Sequence, residues 1–141
     1  MKLALALLVL AIPATATAGG LPDYLKDKRY TYSENACRGE PEPNADDMTA
    51  ILSALEVNEV GVVGYEFGCI FLEFWPGTDE SDTPYNQTVL ASCGDDSGIT
   101  RPDMLSLIFS DEPPSVTVQS QNEYVTGQTY ISRTYPLCME Q

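Results

Sequence analysis

The sequence predicts a mostly β protein: a single antiparallel β-barrel or β-sandwich with one short helix and two disulfides. Three observations carry that expectation. Six or seven short segments rich in Val, Ile, Thr, Tyr and Phe recur at regular spacing, parted by loops rich in Gly, Pro, Asn and Asp. Four cysteines, and no histidine, stand in a chain that opens with an export-type segment. Only one segment places its apolar residues at helical spacing.

The elements follow in chain order. Residues 1–18 read as a secretory signal peptide. Lys2 supplies the positive start, 3–12 an uncharged apolar run, Pro13 a break, and Ala16-Thr17-Ala18 a small-x-small cleavage site. The apolar run is about half the ~20 residues needed to span a membrane, so membrane insertion is not expected. A single domain over 19–141 remains. Residues 29–33 alternate as a short strand, and 38–44, with Pro41 and Pro43, form a loop. In 46–56, Met48, Ile51, Leu52 and Leu55 fall at helical spacing behind acids that suit a helix N-terminus, which predicts the short helix. Gly61 and Gly64 are expected to break the next stretch.

Residues 65–75 form the strongest strand. Alternation sends Phe67, Cys69, Phe71, Glu73 and Trp75 to one face and Glu66, Gly68, Ile70, Leu72 and Phe74 to the other, with a bulge expected at Gly68. Strands follow at 88–93, 104–109 and 116–120. Gln121-Asn122 are expected to turn the chain into a long strand over 124–135, irregular at Gly127.

Charge narrows the partners. The chain carries 21 acids against 7 Lys and Arg, a net charge of −14. Beyond Gly39, Arg101 and Arg133 are the only basic residues. Such a surface repels nucleic acid and anionic lipid and favours a basic protein or a divalent cation. The missing histidine removes the commonest general base and metal ligand. The spacing of Cys37, Cys69, Cys93 and Cys138 contains no C-x-x-C and predicts disulfides rather than zinc. A nested pairing is expected, Cys69–Cys93 within a strand pair and Cys37–Cys138 closing the domain.

Few motifs carry chemistry. The Gly-Asp-Asp-Ser-Gly segment at 94–98 is a turn, since no histidine exists to activate Ser97. Glu66 shares a face with apolar residues and is expected to be partly buried against Arg133; as a paired acid with Glu73 it would suit a carboxylate hydrolase. Asp79, Glu80 and Asp82 in one loop, or Asp95 and Asp96 in the next, present hard oxygens for calcium or acids for a basic partner. Tyr24, Tyr30, Tyr32 and Tyr85 would suit a binding face if exposed.

The run Gly64-Tyr65-Glu66-Phe67-Gly68-Cys69, the strand ending Ala91-Ser92-Cys93-Gly94 and the terminal Tyr135-Pro136-Leu137-Cys138 resemble small exported proteins of Gram-negative bacteria. In these a "YE..C" strand and a terminal "Y..C" recur. The resemblance implies a disulfide-bonded β fold in the periplasm or outside the cell, and nothing catalytic. The stretch 41–58 looks like an insertion relative to it. In architecture alone the chain is also similar to periplasmic lysozyme-inhibitor barrels, without their inhibitory motifs. The expected function is therefore a monomeric, non-catalytic binding or inhibitory module for a basic envelope or host protein, without cofactor or structural metal. The competing expectations are a histidine-free hydrolase built on Glu66 and a calcium-dependent structural envelope protein.

Overall fold

The structure, a computed structural model, describes residues 19–43, 46–76 and 86–139. Eight strands form one antiparallel sheet whose spatial order is its sequence order. They are β1 (Tyr30–Thr31), β2 (Glu56–Val57), β3 (Gly61–Val63), β4 (Phe67–Pro76), β5 (Asn86–Asp95), β6 (Thr100–Asp111), β7 (Pro114–Ser120) and β8 (Arg133–Pro136). Three short helices accompany them: α1 (Glu34–Cys37), α2 (Asp47–Ser53) and α3 (Gln121–Thr126). The sheet curls until its first and last strands nearly meet. A bridge joins Tyr30 to Leu137, and the Cys138 amide donates to the Arg29 carbonyl at 2.8 Å. The result is a nearly closed up-and-down barrel. Near-closure satisfies most of the edges that an open sheet would expose.

The interior is filled by alternate residues of each strand. Val89, Ala91 and Cys93 of β5, Leu105, Leu107 and Phe109 of β6, and Val116 and Val118 of β7 all point inward. Tyr135 of β8 is buried among them, and its hydroxyl donates to the Ile131 carbonyl. The far end of the barrel, where β6 turns into β7, is plugged by the entry segment. Leu25 lies in the core, and the Tyr24 ring stacks on Phe109 with centroids 5.0 Å apart.

Both disulfides pair as expected. Cys69 and Cys93 are directly opposed across β4 and β5, with Cα atoms 3.9 Å apart. Cys37–Cys138 links α1 to the chain beyond β8. Thr31 lies against that bridge, its hydroxyl 2.9 Å from the Cys37 sulfur. The predicted helix is α2. Asp46 is its N-cap and accepts from the Thr49 amide at 2.7 Å, so the carboxylate satisfies a donor that the first turn would otherwise leave unpaired.

Four expectations are corrected. Gly61 does not break the stretch but starts β3, which pairs with β2 as a small hairpin, while Gly64 lies in the break between β3 and β4. Gly61 is required because a Cβ on it would sit 1.9 Å from the Cys69 carbonyl oxygen. In β4 the bulge lies between Phe71 and Glu73 rather than at Gly68. The extra residue flips the alternation, so Cys69 and Phe74 both point inward while Leu72 and Glu73 are exposed. Glu66 is exposed, and Arg133 does not pair with it. The Arg133 guanidinium instead lies over the Tyr32 ring, 5.3 Å from its centroid. Finally, 124–135 is not one strand. Ser120 caps α3, accepting from the Glu123 amide at 3.0 Å, and Gly127 ends it in the left-handed region with φ 72°. The capping outweighs the β preference of Val125 and Thr126, and β8 starts only at Arg133.

Candidate functional site

The pairing register places the start of β4, the end of β5, the start of β6 and the end of β7 at one mouth of the barrel. α2 and α3 flank that mouth. Between them lies a cleft of about 720 Å³. Its walls are largely apolar. Phe67 and Tyr130 face each other with ring centroids 6.3 Å apart, and Met48 of α2, Ile99 of the β5–β6 turn and Val125 of α3 stand exposed around the opening.

The floor is polar and closed on itself. Asp103 and Glu123 are both buried. One Asp103 oxygen accepts from the Ser120 hydroxyl at 2.5 Å and the other from the Asn122 amide at 3.1 Å. Glu123 accepts three backbone amides, from Tyr130 and Ile131 at 2.7 Å and from Ser132 at 2.8 Å. A buried carboxylate is tolerable only when its oxygens are satisfied in this way. These two acids therefore fasten the segment after α3 to the barrel. Ser120 sits between them and links both.

Acids form the rim. Asp95 and Asp96 close β5, and the Asp96 amide donates to the Glu66 carbonyl, which ties the β4 entry to the same turn. The Asp95 carboxylate accepts from the Ser97 amide at 2.9 Å and from the Ser97 hydroxyl. Those bonds, more than the nearby Arg101, hold its carboxyl below the usual carboxylate range. Glu66, Asp95 and Asp96 thus outnumber Arg101 around the opening.

The sequence-predicted residues divide as follows. Glu66, Asp95 and Asp96 come together at this mouth. Asp79, Glu80 and Asp82 lie outside the described residues, as does Tyr85. Glu66 and Glu73, seven positions apart along extended chain, are separated by roughly 20 Å, well beyond the ~5–9.5 Å of a glycosidase pair. Among the described residues no three acidic or cysteine side chains gather as a metal site. Of the tyrosines proposed for a binding face, Tyr30 is buried, with its hydroxyl bonded to the Tyr24 carbonyl, and Tyr32 lies beneath Arg133. Among the described residues Tyr65, Tyr124 and Tyr130 are the exposed tyrosines. The Asp103–Ser120–Glu123 cluster escaped the sequence reading. Its signal was present as Ser-x-x-Glu at 120–123 followed by Gly127, the pattern of a capped helix.

Comparison of the chain with protein-family models, with curated proteins and with solved structures finds no match.

Proposed function

We propose that this protein is an exported, non-catalytic binding module, acting in the periplasm or outside the cell. Its barrel mouth takes a basic, partly apolar element of another protein. The single observation that carries this is the composition of the mouth. Exposed Met48, Ile99 and Val125 surround a cleft rimmed by Glu66, Asp95 and Asp96. An apolar contact ringed by acids matches a Lys- or Arg-bearing side chain, whose stem packs while its charged head meets a carboxylate. The acids of the floor are committed to backbone amides and to Ser120, which favours a structural role for them over proton transfer. Export is supported by the signal-like residues 1–18 and by the two disulfides, which persist in oxidising compartments.

The test is capture from the source organism's envelope extract on the oxidised protein, repeated with Asp95→Lys/Asp96→Lys. A basic protein should be retained at low salt, released at high salt and lost with the double variant, because exposed charge pairs are screened within about 8 Å at physiological salt. Retention indifferent to salt or to the double substitution would sink this reading.

A further inference from the structure

Helix α3 turns one face, with Asn122, Val125 and Thr126, to the mouth, and another, with Gln121 and Tyr124, to a second cleft of about 710 Å³. The floor of this cleft is the outside of the barrel. Thr88 of β5, Ser106 of β6 and Gln119 of β7 alternate with buried neighbours and stand in register as one row across three strands. α3 packs against β6 and β7, and residues 127–132 return beside it, so the row is walled rather than open. Both walls are fastened. Glu123 of α3 gathers the amides of Tyr130, Ile131 and Ser132, and the Ser132 hydroxyl accepts from the Ser120 amide at 2.9 Å.

The lining has one kind of chemistry. Among the described residues Glu123 is its only charged member, and both oxygens of that carboxylate are taken by backbone amides. In a chain of net charge −14, this cleft therefore presents no free charge. Its hydrogen-bonding groups, by contrast, are uncommitted. The side chains of Thr88, Ser106, Gln119, Gln121 and Thr129 make no hydrogen bond to any described residue. The floor of the mouth is the reverse case, with Asp103 and Ser120 bonded to each other and to α3. Tyr124, 84% exposed, sets a bare aromatic ring at the edge of the second cleft.

We infer that this second cleft is a binding site for a neutral oligosaccharide. The lining selects the ligand. An anionic ligand finds no cation here, and a cationic one finds no free carboxylate. An apolar ligand would strip water from five hydroxyl and amide side chains and leave them unpaired. Hydroxyls and carboxamides both donate and accept, as does each hydroxyl of a sugar, so the two sets satisfy each other. The apolar face of a sugar ring packs on an exposed aromatic such as Tyr124. Size agrees. The row from Thr88 to Gln119 spans two steps between strands, ~10 Å, which suits linked rings better than a single one. The volume falls within the roughly 300–1,000 Å³ of small-ligand clefts. Walls already fastened by Glu123 and Ser132 need little ordering on binding. The site is separate from the mouth and does not depend on a basic partner there.

The test begins with the oxidised chain on an array of neutral and acidic hexose and N-acetylhexosamine oligosaccharides, whose dense display holds weak binders. The neutral glycan held best is then titrated into the protein and followed by heteronuclear NMR. Neutral oligosaccharides of two or more rings should be retained and acidic ones should not. The dissociation constant should lie at roughly 0.1–1 mM, as a cleft without charge allows. Shifts should fall on Thr88, Ser106, Gln119 and α3. Binding should be equal at low and high salt, unlike that of a basic partner at the mouth. Gln119→Ala should weaken it about fivefold, the effect of one neutral hydrogen-bonding side chain, and Tyr124→Ala about tenfold. Both side chains are exposed, so the variants should keep the fold. Retention of no neutral glycan overturns the inference. So do shifts confined to the mouth, loss of binding at high salt, or undiminished affinity in a folded Gln119→Ala/Tyr124→Ala double variant.

Discussion

Glu123 shows how one side chain can decide a local structure. Its carboxylate gathers three consecutive amides, from Tyr130 to Ser132, and so sets the path by which the chain leaves α3 and enters β8. Removing it leaves three buried or half-buried donors unpaired. Glu123→Ala should therefore destabilise the fold by about 3 kcal/mol or more, and Glu123→Gln, which keeps one acceptor oxygen, by less. Chemical denaturation of the two variants checks the order; equal losses would mean that packing, not the amides, is what Glu123 provides. Tyr30 yields a prediction in pH. Burial, with smaller contributions from Asp111 and Tyr24, raises its phenol to about 12. The unfolded phenol ionises near 10, so the folded state holds the proton more tightly. The corresponding stability is complete below about pH 10 and is lost as pH rises towards 12. Tyr135 is shifted in the same direction, mainly by burial. Thermal melts across that range should fall steeply, and Tyr30→Phe should flatten the fall; an unchanged slope in Tyr30→Phe would assign the alkaline loss elsewhere.

At the scale of elements, the β2–β3 hairpin depends on a single close approach. β3 packs so tightly on β4 that the Cβ of any other residue at 61 would occupy the Cys69 carbonyl. Gly61→Ala should thus unseat β3 and cost several kcal/mol, in the upper range for point substitutions. Hydrogen exchange would show the opening confined to β2, β3 and the first half of β4. Protection unchanged there would show that the two strands can part without penalty. How far each element could be read from sequence follows from the same physics. β5, β6 and β7 were readable because their inward residues alternate without interruption, from Val89 to Cys93, Leu105 to Phe109 and Val116 to Val118. β4 was found, but its faces were misassigned beyond Phe71, because a bulge leaves no mark when both faces are apolar. The segment after Ser120 was misread because Tyr124, Val125, Tyr130 and Ile131 favour strands by type. Two caps and one acid, none of them apolar, determined its course.

For the whole molecule, Cys37–Cys138 is the decisive link. It closes a separation of 101 residues, against 24 for Cys69–Cys93. In the loop-entropy view the first contributes about 4–5 kcal/mol and the second about 3–4. Cys37→Ser/Cys138→Ser should therefore cost more stability than Cys69→Ser/Cys93→Ser. The loss should centre on the β1–β8 seam, where Tyr30 and Leu137 form one of the few bridges. Denaturation midpoints of the two double variants decide this; the reverse order would place the greater constraint within the β4–β5 pair.

The class of this protein is written in its local residue patterns. Period-two alternation specifies strands, the spacing of apolar residues in 46–56 specifies a helix, and four cysteines without histidine specify bridges rather than metal. The acidic excess was equally plain, and with it the expectation of a basic partner. Closure of the sheet and the meeting of Glu66, Asp95 and Asp96 at one mouth came only with the folded chain. Those facts depend on register, and register is a relation between strands far apart in the chain. A bulge of one residue, or a cap that replaces a strand with a helix, moves every later side chain to a new place. Local patterns record which face each residue prefers, and only the closed barrel shows which faces meet.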